Sequence, residues 1–412
     1  MPGLSISDRQ LLISEVSVVF HAAATVKFDE KLRLAVAINV KGPKDILELS
    51  REMKKLKSVI HVSTAYANCP HKFIEEKFYP TSMDTHKLIS LIDSTDDKLL
   101  ETITPMILNE WPNTYTFTKA IAEDLIRKEG LDMAVGIFRP AIVISTYKEP
   151  LRGWVDNMYG PTGICAGAGT GVLRSLPCEP TLNANVVPGD MCVNAILCSA
   201  WQVHKNHQEL LEQQKPKTEI DIPIYNYVSV VDKPITWENF MHLCGKKGLG
   251  YPSSRAIWYY SFSLNRYWLV HLFYAVFLQF IPALVVDGVL MCIGKPPQLI
   301  KMHKKIARFT NIIQYFTVRN WEFSNSSIKK LLQALNKEDT ELFNFDMKQL
   351  DWEDYFDNYV KGIRTYLLKE PLKTLPEARK RWRRLYWLHQ TTKFVFAVLA
   401  IKLVWSMISA LI

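Results

Sequence analysis

The chain does not open with a basic stretch followed by an apolar one: Met1–Gln10 lacks the pattern of a secretory signal peptide. It contains no CxxC pair and no His-rich spacing, and its seven cysteines are an odd number. Together these argue against a disulfide framework and against structural zinc, and point to a reducing compartment. Basic residues exceed acidic ones, 50 to 41, yet they form no helix-turn-helix, zinc finger or aromatic-basic sheet motif. The formal charge of +9 therefore does not indicate a nucleic-acid partner. Glycine is scarce as well, 17 of 412 residues, and only Gly160–Gly171 (GPTGICAGAGTG) is dense in it.

What is present is apolar and patterned. Nearly half the residues are hydrophobic and 11% are aromatic, enough for a large buried core, and the length suits two domains or one domain with an appendage. Val16–His21 (VSVVFH) reads as a buried parallel strand running into Ala22, Ala23, Ala24 and Thr25. Residues 29–55 carry helical periodicity, with Leu32, Val36, Ile38, Val40, Ile46 and Leu49 as core-facing candidates. Ser58–Ser63 (SVIHVS) is a second strand, ending in Thr64–Ala65–Tyr66. Ala134–Phe138 (AVGIF) is a third, leading to Arg139 and Pro140. Strands alternating with helices predict an α/β fold with a parallel sheet and right-handed crossovers, in which ligands sit at the carboxyl ends of the strands.

The stretch Trp111–Asp124 (WPNTYTFTKAIAED) carries the chemistry. Asn113 and Thr114 suit a helix start, and Tyr115 and Lys119, four apart, then share one helix face. A phenol ordinarily titrates near pH ~10. An ammonium one turn away favours the phenolate and is expected to draw that value toward neutrality, making a proton donor for an oxyanion. Taken alone the spacing is weak, because Tyr and Lys four apart are common on solvated helices.

The blocks VFHAAATVKFDEKL, AINVKG, HVSTAYANC, YTFTKAIAED, IFRPAIV, GWVDNMYGPTG and VPGDMCVNAI occur in an order that resembles the alcohol-forming fatty acyl-CoA reductases, in particular their arthropod branch. These are membrane-bound relatives of the extended short-chain dehydrogenases. The resemblance runs from about Leu4 to the tail. It implies a Rossmann-like domain over residues 1–249, a helical C-terminal domain over 250–378, and a basic cluster with a transmembrane tail over 379–412. It also implies NADPH as cofactor, fatty acyl-CoA as substrate, and reduction through an aldehyde to a primary alcohol with release of coenzyme A. By position in the motifs, Tyr115 is the proton donor and Lys119 bonds the nicotinamide ribose. Thr64, with Ser63 as competitor, supplies the active-site hydroxyl. Ala22, Ala23 and Ala24 pass under the cofactor adenosine, or simply pack strand against helix. Arg139 and Pro140 close a strand beside the nicotinamide. Asn39 touches the strand ends or a water, or is an ordinary polar residue inside a helix. The family's glycine-rich TGxxGFxG turn is not in this sequence, so the sheet is expected to be N-terminally truncated and Met1 an internal start.

Beyond the third strand, Gly153–Asn157 (GWVDN) and Gly160–Gly163 read as loops, with Trp154 lining a channel or buried under a loop. Val186–Asp190 reads as a turn into a helix, with Asp190 as a cap or a functional carboxylate. His204–Lys217 reads as a surface loop, Pro223–Val230 as a strand, and Ile235–Cys244, Trp321–Leu335 and Trp352–Lys361 as helices. Trp268–Ile293 is long enough to span a bilayer but is interrupted by His271, Gln279, Pro282 and Asp287; a membrane-facing helical hairpin is expected, with a true span as the alternative. Phe394–Ile412 is apolar except for Lys402, Ser406 and Ser409 and follows the basic run Arg379–Arg384. It reads as a tail anchor in membrane lipid of the endoplasmic reticulum or peroxisome, with the catalytic part in the cytosol. Two rival readings remain: another membrane-bound reductase of the same superfamily, and a catalytically silent binding or scaffold protein.

Overall fold

The computed structural model describes residues 3–213 and 221–411. They form two compact units, each assembled from separate stretches of chain. The first takes residues up to Val143 with Asn183–Ile235 and Asn320–Leu350; the second takes Ile144–Leu182, Thr236–Arg319 and the chain from Asp351 onward.

The first unit is built on a four-stranded parallel sheet of β1 (Val18–His21), β2 (Ser58–Val62), β3 (Val135–Pro140) and β4 (Ile224–Tyr227), neighbours in that order. β2 and β3 are flanked on both sides and carry almost continuous buried residues, as central parallel strands must. Leu47, Val59, Ile126, Met133, Val135, Ile137, Ile222 and Ile224 make a core between the sheet and its covering helices. Gly136 lets the helix Gly189–Glu212 cross the sheet closely: a Cβ there would lie 2.6 Å from a Val203 methyl. The expected Rossmann-like α/β architecture is what the structure has. β1 is an edge strand, with Phe20 exposed.

Two local expectations in this unit change. The helix over residues 29–55 contains one π turn, Ala37–Lys41, between Leu32–Val36 and Gly42–Glu52. The extra residue shifts the phase, so Ile38 is exposed and Asn39 faces inward. The predicted surface loop from His204 is helical as far as Glu212, because the helix from Gly189 continues through it. Its remainder at 214–217 lies outside the described residues.

The second unit is mainly helical. Gly160–Gly163 is not a loop but the first turn of the helix Gly160–Gly169, with Pro161 near the N-terminus where its missing amide hydrogen is harmless. That helix, Trp237–Gly248 and Trp352–Gly362 enclose Phe240, Phe356 and Tyr359. Gly153, at φ +74°, and Gly362 meet backbone to backbone: a Cβ on Gly362 would lie 1.7 Å from the Gly153 carbonyl oxygen. Trp154 beside them is substantially exposed rather than buried.

Trp268–Cys292 is one continuous helical rod rather than a hairpin. A π turn at Val276–Phe280, closed by the Ile281 amide on the Val276 carbonyl, lies just before Pro282, which sits in the first turn of Ile281–Cys292 where its missing amide hydrogen is tolerated. The tail is a single helix, Leu375–Leu411, that includes the basic run Arg379–Arg384. Among the described residues, two helices are long and apolar enough to cross a membrane, Trp268–Cys292 and Leu372–Ser409.

Candidate active site

The site is made where β2 ends and the helix Thr114–Glu129 begins, all within the first unit. Asn113 caps that helix by accepting the Thr116 amide at 2.9 Å, and Thr114 Oγ1 donates to the Glu30 carbonyl at 2.9 Å. The start of the helix is thereby fixed, and Tyr115, Lys119 and Glu123 follow at intervals of four along one face.

Tyr115 stacks on Phe28, with ring centroids 5.6 Å apart, and lies beside Thr64. Burial pushes its phenol up to about 12, and Thr64 opposes that only in part. The downward pull expected from Lys119 is not among the causes: desolvation of the phenolate dominates, and Thr64 is what opposes it. The consequence is a phenol that keeps its hydrogen at neutral pH and can donate it.

Lys119 is buried, and its Nζ donates to the Val62 carbonyl at 2.8 Å. Burial lowers it to about 8, with the Glu123 charge acting in the opposite sense. That bond uses one of three ammonium donors and holds the amine at the carboxyl end of β2.

Ser63 and Thr64, left as competitors by the sequence, have separate partners. Ser63 Oγ donates to Glu123 Oε1 at 2.5 Å, so its hydroxyl is committed to the interior. Thr64 is the hydroxyl beside Tyr115.

Arg139 is fully buried. Its Nε and Nη2 form a two-pronged ion pair with Glu123 at 2.9 and 2.7 Å, while Nη1 and Nη2 donate to the Glu75 and Lys77 carbonyls, each at 3.0 Å. A buried guanidinium needs such partners. Its side chain therefore ties the end of β3 to the inner face of the site helix. Pro140 ends β3, and its carbonyl accepts the Ala65 amide at 2.9 Å, tying the loop after β2 to the sheet.

Asn39 clamps the loop after β1. Its amide oxygen accepts the Thr25 amide at 2.9 Å, and its Nδ2 donates to the Thr25 carbonyl and to Thr118 Oγ1. It does so from inside the π turn Ala37–Lys41. Ala22 and Ala23 are exposed and Ala24 is half-buried, so the first two do not serve tight strand-helix packing.

Four further residues belong here that the sequence reading did not single out. Glu123 gathers Ser63, Arg139 and Asn68, whose Nδ2 donates at 3.1 Å. Its signal was its position four residues after Lys119. His21 and His61 are paired in register across β1 and β2, with Nδ1 atoms 3.2 Å apart and rings stacked. Burial, then the Lys119 charge, lowers His21 to about 4 and His61 well below its ordinary value, so both are neutral. His61 Nε2 has no protein partner.

For a nicotinamide cofactor, the hydroxyl, phenol and amine at the strand end fit the reacting end, and the bare Ala22–Ala23 surface leaves room for a flat ligand. No glycine-rich turn cradles a pyrophosphate: among the described residues of the first unit, the positive-φ glycine is Gly3 alone.

Comparison with known proteins agrees. A family model described as male sterility protein, in its NAD-binding part, matches residues 2–196, and a second of the same description, Sterile, matches 278–370. The Drosophila melanogaster protein named fatty acyl-CoA reductase wat is 41% identical over 403 residues, covering 97% of this chain and 76% of that one. The chain belongs to the fatty acyl-CoA reductases. Bos taurus fatty acyl-CoA reductase 2 is 36% identical over 409 residues, covering 96% of this chain and 75% of its own length. Among solved structures, the terminal R domain of the myxalamid biosynthetic pathway is 13% identical at a TM-score of 0.48, covering 88% of this reductase and 71% of that chain. The UDP-glucuronic acid 4-epimerase of Bacillus cereus is 12% identical at a TM-score of 0.47, covering 87% and 77%.

Proposed function

We propose that this reductase converts long-chain fatty acyl-CoA into the primary fatty alcohol, using NADPH and releasing coenzyme A through an aldehyde-level intermediate. The observation that carries the proposal is the Tyr115 phenol beside Thr64, with Lys119 one turn along and held by the Val62 carbonyl at the end of β2. The bound nicotinamide supplies hydride. Tyr115 and Thr64 donate hydrogen bonds to the carbonyl oxygen as negative charge develops on it, first in the thioester and then in the aldehyde. The alkoxide of the first adduct collapses to the aldehyde with loss of the coenzyme A thiolate, and in the second reduction Tyr115 Oη delivers its proton to the alkoxide, giving the alcohol. Lys119 keeps two donors for the ribose of the cofactor and sets the charge around the phenol. Asn39 and Glu123 hold the strand-end loops and the helix face on which these groups sit.

NADPH rather than NADH follows from family resemblance. The tail helix anchors the chain in endoplasmic reticulum or peroxisome, with the catalytic part cytosolic; the basic run Arg379–Arg384 beside the apolar segment supports that orientation. A second reading is a membrane-tethered relative that does not turn over. The deciding experiment incubates the full chain with a fatty acyl-CoA and NADPH or NADH, and follows free thiol, aldehyde and alcohol. Alcohol, with twice as much NADPH consumed as thiol released, supports the proposal. No thiol release with either cofactor supports the silent relative.

A further inference from the structure

The helical rod Trp268–Cys292 in the second unit divides sharply into two sides. His271, Ala275, Gln279, Ala283 and Asp287 recur every four residues and are all buried. His271 Nδ1 bonds Ser175 Oγ at 2.8 Å, and Gln279 Oε1 accepts the Arg174 amide at 3.3 Å. Asp287 accepts the amides of Gln298, Leu299 and Ile300 at 2.9–3.1 Å, capping the next helix, Leu299–Thr317. Every polar group that made this segment an awkward membrane span is thus satisfied inward. The other side is apolar and open, with Leu269, Phe273, Phe277, Leu284, Val285 and Val289 all more than half exposed.

The helix Leu299–Thr317 packs beside the rod. It has no acidic residue, and Lys301, Lys304, Lys305 and Arg308, spaced as one helix face, are all exposed. We propose that the open side of Trp268–Cys292 and this cationic stripe form a lipid-contact surface that lies in the plane of an anionic phospholipid leaflet, separate from the tail helix. This goes beyond the proposed reaction and does not depend on it.

Three observations select this occupant. A spanning arrangement would carry the four cations of the adjoining helix into hydrocarbon, which is strongly unfavourable without partners. A second copy of the chain would set two cationic stripes against each other. An exposed apolar side with Tyr267 and Trp268 open at one end matches the interfacial zone of a bilayer, where aromatic rings collect and cations meet anionic headgroups. In-plane insertion buries one helix side and leaves the inward polar stripe in protein, as the structure has it.

The test uses the full chain in vesicles and its single exposed cysteine, Cys292, as a fluorophore site. Parallel samples carry the label at Leu269→Cys or Leu284→Cys in a Cys292→Ser background, and brominated lipids quench at shallow or deep positions. In-plane contact predicts that all three labels are quenched best by shallow bromines. It also predicts that quenching weakens when phosphatidylserine is replaced by phosphatidylcholine. Lys301→Glu with Lys304→Glu should remove that lipid-charge dependence, with the inserted fraction falling on the order of fivefold per charge removed. The milder Lys301→Gln with Lys304→Gln should fall in between, and an unchanged circular dichroism spectrum confirms folding. Deep quenching at residue 284 with residues 269 and 292 shallow would establish a span and overturn the proposal. No quenching by any lipid would make this a protein-docking side, and insertion indifferent to lipid charge would remove the cationic stripe from it.

Discussion

Two helices in this reductase place polar residues at four-residue intervals, with opposite outcomes. In Thr114–Glu129 the stripe is Tyr115, Lys119 and Glu123, and nearly all of the helix around it is buried. In Trp268–Cys292 the stripe is His271, Gln279 and Asp287, and most of the remaining surface is open. In the first, polar groups are drawn out of water so that their protonation can be controlled. In the second, they are tucked away so that what remains is purely apolar. Spacing alone does not distinguish a reactive face from a structural one; what lies on the other side of the helix does.

The contrast is broken most severely at Tyr115. Tyr115→Phe should lower kcat/KM by about 10²–10⁴ without moving the unfolding temperature, as followed by alcohol formation and calorimetry. Thr64→Val should fall by about 10² as a lost oxyanion donor, whereas Ser63→Ala should leave turnover alone.

Glu123→Gln tests whether the inner end of the stripe is structural. It leaves Arg139 buried without its counter-charge, and about 3–5 kcal/mol of stability should be lost in urea unfolding. An effect confined to turnover would move Glu123 into the chemistry.

Lys119 gives a pH signature. Its folded value is near 8, below the ordinary 10.5. Below about pH 8 both the folded and unfolded chains bind the proton, and the burial penalty is fully felt. Between about 8 and 10.5 the unfolded chain holds more protons, so this residue's contribution to stability improves as pH rises. Lys119→Met should flatten that slope, read as the difference between the two proteins' unfolding curves.

The smallest effect belongs to the second helix. Asp287→Ala removes the acceptor for three amides and should cost about 1–2 kcal/mol of stability, with turnover unaffected. A loss of turnover would mean that the apolar helix is coupled to the reaction.

The sheet and the Tyr115–Lys119 pair were legible because strands and a four-residue helical spacing are local patterns. Arg139 was legible as a residue but not in its pairing: that its guanidinium meets a carboxylate depends on Glu123, which looked like one acid among many on a helix. Ser63 and Thr64 were adjacent hydroxyls until their opposite directions along the strand end gave each a different partner. His21 and His61 meet only through strand register, forty residues apart in sequence. Ile38, and the single rod in place of a hairpin, were missed for one shared reason. Each sits at a π turn, where an inserted residue shifts the helical phase, an event that has no composition of its own.

The contact of Gly153 with Gly362 carries a consequence for how this chain can vary. Because each would place a Cβ inside the other segment's backbone or its neighbour's, at 2.1 Å from the Asn358 oxygen in one case and 1.7 Å from the Gly153 oxygen in the other, no enlargement at one position can be compensated by a reduction at the other. Both are already at the minimum. The pair is therefore a fixed point in sequence space: drift can recolour the loop and the helix around it, but it has no neutral path through either glycine.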